Sequence, residues 1–264
     1  KNPRDILLAQ QAAKVIINSG YFKDGFSIQT GSGGASLAAV KFIRESMIEK
    51  GIKANYALGG ITAHMVKMHE EGLIKRLIDV QSFDKVAAES VKNNEFHKEV
   101  SASEYAAADE QGSATHYLDI VILSALEVDV DFNVNVLVGS DGIIRGAIGG
   151  HPDTAADSAL SIIVCPLLRG RIPCVVDKVT TLITPGATVD VVVTEYGIAV
   201  NPRRPEVAER LRAAGLKIVD LNDLKERAEK IIGQPAELPF GEKVVGVVMY
   251  RDNTVLDVIR NIQG

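Results

Sequence analysis

Apolar and polar residues alternate strictly between Leu126 and Val136, with leucine, valine or phenylalanine at every even position and an acidic or amide side chain at every odd one. A period of two that persists over such a stretch predicts a β-strand with one apolar and one polar face. Glycine-rich turns follow at 139–142 and 146–150, and glycine lets the main chain present bare N–H groups. We therefore expect a ligand-binding loop just after this strand.

The first ninety residues repeat one pattern, in which a strand, a turn and a helix follow one another. Strands are predicted at 26–30, 53–58 and 73–80, and helices at 35–50, 61–71 and 83–92, after a first helix over 3–20. Such alternation favours a parallel sheet with right-handed crossovers. The predicted fold class is α/β, an open and mostly parallel sheet with flanking helices.

The second half of the chain continues the same pattern. Strands are predicted at 161–166, 172–177, 189–195 and 216–219, and helices at 153–159, 205–214 and 221–232. Residues 233–243 contain two prolines and two glycines, which are typical of a linker, and a last strand is predicted at 244–250. We interpret residues 1–264 as a single α/β domain. Because a helical pattern begins at once and no initiator methionine precedes it, we expect a part of a longer polypeptide.

Two glycine-containing turns of the first half are candidates for anion binding, because N–H groups and the helix dipole favour an anion where a helix begins. The residues are Gly31, Ser32, Gly33 and Gly34 in the first turn and Gly59 and Gly60 in the second. The sequence contains neither GxGxxG nor GxxxxGK[ST], so a nucleotide triphosphate is not predicted. The alternative is that these are tight turns without a ligand.

Acidic residues and a histidine supply further candidates. Glu127, Asp129 and Asp131 follow one face of the predicted strand, where carboxylates either ligate Mg²⁺ or Ca²⁺ or are simply solvated. We favour solvation and predict no metal site. Glu127 follows a very apolar run, which leaves a buried acid, a structural anchor and a site residue as alternatives. His151, directly after Gly149-Gly150, has ring nitrogens that can bind a carboxylate or thioester oxygen, and the alternative is a loop histidine without a ligand.

Five arginines lie near predicted strand ends, where the guanidinium fork suits a carboxylate or phosphate: Arg145, Arg169, Arg171, Arg203 and Arg204. Each is also compatible with a solvated surface position. The formal net charge of −5 provides no basic field for nucleic acid, so an anionic ligand would depend on such local arginines. A GxSxG motif is missing from the sequence, and serine-hydrolase chemistry is unsupported.

The lack of a recognisable targeting segment in this sequence and the setting of its two cysteines predict a cytoplasmic location. No apolar run approaches the roughly 18 residues of a membrane span, and no signal-peptide pattern opens the chain. Cys165 and Cys174 lie in apolar runs, so we expect free, buried thiols in a reducing compartment. The sequence thus predicts a cytoplasmic protein that binds neither membrane nor nucleic acid.

Several longer motifs together resemble the citrate lyase alpha-chain family, the citrate CoA-transferase subunit. They are GSGGASLAAVKFIRESM, ALGGITAHMVKMHEEGLI, SALEVDVDFNVNV, GSDGIIRGAIGGHPDTAADS and VDVVVTEYGIAVNPRRPEVAERL. ALEVD and VVTEYGIA also resemble the wider acetyl-CoA hydrolase and 4-hydroxybutyrate CoA-transferase family. The resemblance implies a fold of the NagB/RpiA/CoA-transferase kind, which usually occurs as a tandem pair, and the chain is similar to the second member of the pair.

The resemblance also implies an activity and partners. Acetyl-[acyl-carrier protein] and citrate would give citryl-[acyl-carrier protein] and acetate, and a separate beta subunit would cleave the citryl thioester. The implied cofactor is a CoA-like thioester, a dephospho-CoA-type prosthetic group on the gamma subunit, the acyl carrier protein, with no metal. A homo-oligomer within a larger complex is expected.

Under this resemblance we assign roles as hypotheses. Gly31, Ser32, Gly33, Gly34, Gly59 and Gly60 would hold the pantetheine arm or phosphates, Gly149, Gly150, His151 and Glu127 would act at the thioester, and Arg145 or Arg171 would bind a citrate carboxylate. A thioester carbonyl under attack develops negative charge, which preorganised N–H groups stabilise.

One departure from the wider family concerns the nucleophile. Relatives carry a nucleophilic glutamate just after the strand that here reads Tyr56-Ala-Leu-Gly-Gly60, whereas this chain continues with Ile61, Thr62 and Ala63. We therefore expect direct attack by the citrate carboxylate, through an anhydride, without a covalent glutamyl intermediate. The alternatives are a CoA-transferase or acetyl-CoA hydrolase for another small carboxylic acid, and a ligand-binding module without catalysis.

Overall fold

A computed structural model of the protein describes residues 2–31, 34–109, 112–234 and 236–263. Its strands are β1 (Ser27–Thr30), β2 (Tyr56–Ile61), β3 (Leu77–Ser82), β4 (His97–Glu99), β5 (Ile120–Ser124), β6 (Glu127–Asp129), β7 (Val134–Asn135), β8 (Leu160–Val164), β9 (Leu168–Arg169), β10 (Ile172–Pro173), β11 (Val175–Val176), β12 (Val191–Thr194), β13 (Gly197–Val200), β14 (Phe240–Met249) and β15 (Val255–Ile262). Its helices are α1 (Pro3–Asn18), α2 (Gly34–Lys50), α3 (Ala63–Glu70), α4 (Lys85–Asn93), α5 (Ala102–Ala106), α6 (His151–Asp157), α7 (Pro205–Ala213) and α8 (Leu221–Ile232).

An eight-stranded sheet forms the centre, in the order β13-β12-β8-β5-β1-β2-β3-β4. All neighbouring strands are parallel except β12 and β13. The predicted open, mostly parallel α/β sheet with flanking helices is thereby confirmed. From β1 the chain extends the sheet through β2, β3 and β4, and from β5 it extends the sheet the other way through β8 and β12. Connections that leave two adjacent strands in opposite directions open a crevice at their carboxyl ends.

Both faces of this sheet are covered, so its central strands are apolar on both sides. In β5, Ile120 and Ile122 pack into one core with α1, α2 and α3. Val121 and Leu123 pack into the opposite core with α5, α6 and α8. Burial on two faces explains why the run from Ile120 to Leu123 forms a strand without any alternation of polar residues.

The alternating stretch from 126 to 136 is not the single strand that its period predicts. It folds back on itself: β6 and β7 pair antiparallel, with Glu127 opposite Asn135. Phe132 takes a φ of 67° in the turn, and the Asp129 carboxylate accepts hydrogen bonds from the N–H groups of Asp131 and Asn133. The prediction of a solvated Asp129 is also wrong, because this side chain is buried as the cap of the turn. Alternation persists through a reversal when both arms are extended, so the period could not reveal the turn.

Three further element predictions need correction. Gly59 and Gly60 lie inside β2 rather than in a turn after it, at a bulge where Gly59 takes a φ of +98°. Residues 216–219 contribute an isolated bridge, from Ile218 to Ile198, instead of a strand. The predicted linker ends early because β14 begins at Phe240, and β14 is followed by β15, which the sequence reading missed.

β14 and β15 form a separate hairpin whose strands leave Val245, Val247 and Val255 more than half exposed. Its turn is fastened to α6 by Arg251, which pairs with Asp157. None of the helices in the described ranges combines the length and apolar composition needed to cross a membrane.

Candidate functional site

A cavity of about 740 Å³ lies at the crevice between β1 and β5 of the central sheet. Its walls come from the carboxyl ends of β1, β2, β3 and β5, from α5, and from the loop that leads into α6. In open α/β sheets, ligands bind outside the carboxyl ends of the strands where the strand order reverses. Topology and volume therefore both identify this crevice as the candidate site.

Five of the predicted site residues line this cavity: Gly31, Gly60, Gly149, Gly150 and His151. Gly59 is adjacent to it in β2, and Gly34 lines a smaller neighbouring cavity of about 300 Å³. Ser32 and Gly33 lie outside the described residues. Glu127, Arg145 and Arg171 do not line the cavity.

The glycines of the cavity wall make room for side chains. A Cβ on Gly59 would lie 2.8 Å from the Cδ atom of Gln29, and a Cβ on Gly150 would lie 2.6 Å from the ring of Tyr105. A Cβ on Gly60 would overlap the ring of Phe83. The N–H group of Gly31 donates to Ile122 O at 2.8 Å, so it is not available to a ligand. At Gly31 the predicted role of presenting a bare N–H group is therefore wrong.

The loop before α6 does present donors. Among the main-chain hydrogen bonds of the described ranges, the N–H groups of Gly149 and Gly150 have no carbonyl acceptor. Gly149 takes a φ of +52°, a conformation that L side chains rarely adopt. Unpaired N–H groups next to a cavity are suited to an oxygen atom that gains negative charge.

Replacing Gly150 with alanine is expected to destabilise the fold by about 1–2 kcal/mol, because the methyl group must displace Tyr105. Gly34→Ala is the matched control, since a Cβ at Gly34 meets no described atom within 4 Å. Urea denaturation followed by circular dichroism measures both variants. Equal free energies of unfolding in the two variants would show that the Tyr105 ring moves aside without loss of stability.

His151 is buried, and both of its ring nitrogens have protein partners. Nδ1 lies 2.7 Å from Thr184 Oγ1, and Nε2 lies 3.0 Å from Ser124 O. Because a carbonyl oxygen accepts only, Nε2 carries the proton and Nδ1 accepts from the threonine hydroxyl. Burial lowers the pKa of His151 to about 4, so the ring is neutral near pH 7. His151 thus ties the loop to β5. Because both ring nitrogens have protein partners, neither is free for the predicted hydrogen bond to a ligand oxygen.

Glu127 is a buried anchor, one of the three alternatives open from the sequence. Its carboxylate accepts four hydrogen bonds, from Asn135 Nδ2 at 2.8 Å, Ser140 Oγ at 2.9 Å, Thr180 N at 2.7 Å and Thr180 Oγ1 at 2.9 Å. Together these bonds tie β6 to β7 and to two loops. Because its oxygens are occupied by these bonds and it does not line the cavity, the Glu127 carboxylate has a structural role and does not bind a ligand there.

The predicted arginines are not brought to the cavity. Arg145 is exposed and pairs with Asp141, and Arg171 is exposed in the turn between β9 and β10. Arg169, from the same group of loop arginines, lines the smaller cavity instead. Its Nη2 donates to Ala125 O at 2.9 Å and also to Leu126 O. The two cavities share Ser124, so Arg169 is near the end of β5.

Neutral side chains dominate the larger cavity. No lysine or arginine lines it within the described residues, and Asp153 is its one charged lining residue there. Burial raises the pKa of Asp153, while the Arg251 cation, with Nε 3.7 Å from Asp153 Oδ1, opposes that rise. Groups of three His, Cys, Asp or Glu side chains that could hold a metal ion do not occur in the described ranges. The lining of the cavity therefore suits a ligand whose polar groups are uncharged.

Gln29, Phe83, Tyr105 and Asp153 belong to this site but were not predicted from the sequence. Gln29 and Tyr105 are hydrogen-bonded to each other. The four come from β1, the loop between β3 and α4, α5 and α6, and each lies close to a glycine or a turn elsewhere in the chain. Asp153 carried a signal, because it lies in the same short motif as Gly149, Gly150 and His151.

Comparison with known proteins gives a consistent result. The sequence model of the family described as citrate lyase, alpha subunit, matches residues 1–262. The citrate lyase alpha chain of Escherichia coli (strain K12) is 58% identical over 262 residues, which are 99% of this chain and 51% of that protein. The alpha chain of Klebsiella pneumoniae is 55% identical over 262 residues, 99% of this chain and 52% of that protein. The chain spans about half the length of the curated relatives it matches.

Solved structures agree with these matches. A crystal structure described as the alpha subunit of citrate lyase from Streptococcus mutans, in complex with citrate, has a TM-score of 0.98 and 53% identity. The match covers 100% of this chain and 52% of that one. A malonate decarboxylase alpha subunit from Acinetobacter baumannii, 15% identical over 89% of this chain and 56% of its own, has a TM-score of 0.60 and shares the fold alone. The resemblance found in the sequence motifs is confirmed.

Proposed function

The chain belongs to the citrate lyase alpha-subunit family, and we propose that its larger cavity binds the acetyl thioester whose carrier thiol this subunit transfers from acetate to citrate. The observation that carries the proposal is the crevice between β1 and β5, where the N–H groups of Gly149 and Gly150, which have no acceptor in the described ranges, adjoin a cavity of about 740 Å³ lined mostly by uncharged residues. The citrate complex of the Streptococcus mutans relative supports citrate as the acceptor.

The reaction we propose needs no nucleophilic side chain. A carboxylate oxygen of citrate attacks the acetyl carbonyl carbon, the C–S electrons leave with sulfur as thiolate, and an acetyl–citryl anhydride forms. The thiolate then attacks the citryl carbonyl carbon, and acetate leaves with the C–O electrons. Within each step the N–H groups of Gly149 and Gly150 would stabilise the oxyanion, and the cavity would align the reactants.

A covalent glutamyl route has no support in this cavity, since its described lining contains no glutamate. Glu127→Gln is expected to cost about 2 kcal/mol of stability, because an amide nitrogen would face donors that the carboxylate now satisfies. The kcat of the folded variant should stay within about twofold of the parent. Unfolding curves and acyl-exchange rates measure the two effects. A covalent acyl or CoA adduct on Glu127, or on any other side chain, would contradict the direct route.

For the citrate carboxylate we propose Arg169, in the smaller cavity that shares Ser124 with the larger one. No hydrogen bond of its Nη1 group to a protein atom is found in the described ranges, while Nη2 and Nε are engaged. Arg169→Gln is expected to raise the KM for citrate roughly tenfold, the loss of one charge-assisted contact. Arg171→Gln, two residues away and exposed, is the matched control, and equal KM values in both variants would remove Arg169 from the site.

The remaining parts of the proposal concern partners. The thioester is a substrate that would arrive on an acyl carrier protein, the gamma subunit, through a dephospho-CoA-type prosthetic group. The beta subunit would cleave the citryl product. We propose a homo-oligomer within a cytoplasmic complex, in which this chain needs neither a metal nor a nucleic acid.

Acyl exchange tests the proposed function. The chain alone, and the full-length polypeptide, are incubated with acetyl-dephospho-CoA and citrate, and the citryl thioester is sought by mass spectrometry. Citryl product from the full-length polypeptide would support the proposal. Acetate release without citryl product would favour an acetyl-CoA hydrolase, and ligand binding without any turnover would favour a binding module.

A further inference from the structure

A pair of uncharged polar side chains, Gln29 on β1 and Tyr105 on α5, stands in the wall of the larger cavity. Both side chains are buried, and each is 7% exposed as a residue. Gln29 occupies the space that a Cβ on Gly59 would need, and Tyr105 occupies the space of a Cβ on Gly150. Two glycines that are far apart in the chain thus leave space for the two side chains of one hydrogen-bonded pair.

We propose that this pair binds the acyl oxygen of the thioester, with the Tyr105 hydroxyl as the hydrogen-bond donor and Gln29 as the residue that orients it. The inference rests on the proposed function, because it deepens the role of the same cavity. Nothing in the sequence motifs singled out either residue.

Hydrogen-bond capacity supports this assignment. Gln29 Nε2 lies 2.9 Å from the Tyr105 hydroxyl oxygen, and Gln29 Oε1 lies 3.1 Å from the same atom. The amide N–H donates to the phenol oxygen across the shorter distance, and the hydroxyl donates back to Oε1 across the longer one. When the hydroxyl turns to donate to an acyl oxygen instead, the amide N–H still donates to the phenol oxygen. An amide that donates to the phenol oxygen also polarises the O–H bond and strengthens the next hydrogen bond.

The charge of the surroundings favours an acyl oxygen over a carboxylate. No lysine or arginine lines this cavity in the described part of the chain, and the carboxyl of Asp153 is on the same wall. A citrate carboxylate would gain no cation here and would be repelled by an ionised Asp153. A thioester carbonyl is uncharged in the ground state and gains negative charge only during attack, which suits a neutral donor.

The phenol stays protonated under working conditions. Burial raises the pKa of Tyr105 to about 12, and the neighbouring Asp153 acts in the same direction. The donor is therefore present across the whole neutral pH range. The ring is held against Gly150, next to the unpaired N–H groups of the loop, so side-chain and main-chain donors approach one region of the cavity.

The kinetic test uses Tyr105→Phe in the full-length polypeptide with acetyl-dephospho-CoA and citrate. Removal of one oxyanion donor is expected to lower kcat roughly 100-fold with little change in either KM. Tyr56→Phe is the matched control: its pKa is likewise raised to about 12 by burial, but its hydroxyl donates to Ala114 O, outside the cavity. An unchanged kcat for Tyr105→Phe, or a defect confined to the KM for citrate, would overturn the inference.

Infrared spectroscopy separates this inference from the proposed function, because it needs no turnover. The ¹³C=O band of bound [1-¹³C]acetyl-dephospho-CoA is compared in the parent, in Tyr105→Phe and in Gln29→Met. A hydrogen bond to the acyl oxygen lowers the stretching frequency, so the band should shift on binding to the parent and shift less in both variants. Equal shifts in all three proteins, or no binding to the parent, would overturn it. If the band shift depends on Tyr105 but the protein makes no citryl product, the binding role of Gln29 and Tyr105 is supported and the proposed transferase activity is refuted.

Discussion

Acidification from pH 6.5 to pH 4 is expected to lower the free energy of unfolding by on the order of 3 kcal/mol through His151 alone. Burial lowers the pKa of the folded ring to about 4, whereas the unfolded ring titrates at its ordinary value of 6.5. Between these two values the unfolded chain binds a proton that the folded chain does not. Stability is therefore complete above pH 6.5 and falls steadily until about pH 4, where the folded ring also becomes protonated.

Urea denaturation at pH 7, 6, 5 and 4 measures this effect in the parent and in His151→Gln. Glutamine retains a donor for Ser124 O but does not titrate, so the stability advantage of the parent should shrink as the pH falls. The control is His64→Gln, which removes an exposed histidine of α3. A difference between parent and His151→Gln that stays constant over the whole range would refute a neutral, buried ring.

Replacing Arg251 with methionine is expected to destabilise the fold by about 4 kcal/mol. Its Nη1 and Nη2 atoms contact the two carboxylate oxygens of Asp157 at 2.5 and 2.8 Å, and the two side chains are only 11% and 12% exposed. Removal of the cation leaves Asp157 with the Thr115 hydroxyl and with His116, whose Nε2 lies 3.6 Å from Asp157 Oδ2. It also places Asp153 and Asp157 in mutual repulsion on one face of α6. The hairpin of β14 and β15 would lose the fastening of its turn.

A double-mutant cycle isolates this contact. Asp157→Asn combined with Arg251→Met should lose much less than the sum of the two single variants, since Arg251→Met leaves the Asp157 carboxylate without its cation and Asp157→Asn leaves Arg251 with Asp153 as its one carboxylate. Arg260→Met, on the same hairpin, is the matched control: that arginine is exposed, donates to Glu242 O, and should cost no more than about 0.5 kcal/mol. Additive losses in the cycle would show that Arg251 and Asp157 act independently. Hydrogen exchange in β14 and β15 should accelerate in Arg251→Met, because the hairpin opens more often.

The sequence was most informative where a feature is local. Helix α8 begins and ends as predicted, and β1, β8 and β12 lie within a few residues of their predicted positions, because composition and spacing along a short stretch determine them. The central strand β5 was not predicted. The motif with Gly149, Gly150 and His151 likewise identified one wall of the cavity. What His151 does there depends on Thr184 and Ser124, which lie elsewhere in the chain.

The sequence was least informative where function depends on contacts across the fold. Gly59 was taken as a turn that presents N–H groups, whereas Gln29 from another strand occupies its side-chain space. Arg145 and Arg171 suited a carboxylate by type, but one pairs with Asp141 and the other is exposed. Residue type and spacing along the chain do not specify which distant element packs against a position. That information comes from the order of strands in the sheet.

The crevice between β1 and β5 has a thermodynamic consequence as well. Its walls come from strands that build opposite halves of the sheet, so a molecule held there contacts both halves at once. Such a molecule binds the assembled sheet and not the unfolded chain. By mass action it raises the free energy of unfolding by about 2.7 kcal/mol when its concentration is 100 times its Kd. Occupancy of the crevice is therefore recorded in the melting temperature of the protein, and a rise on addition of a thioester reports binding before any product is made.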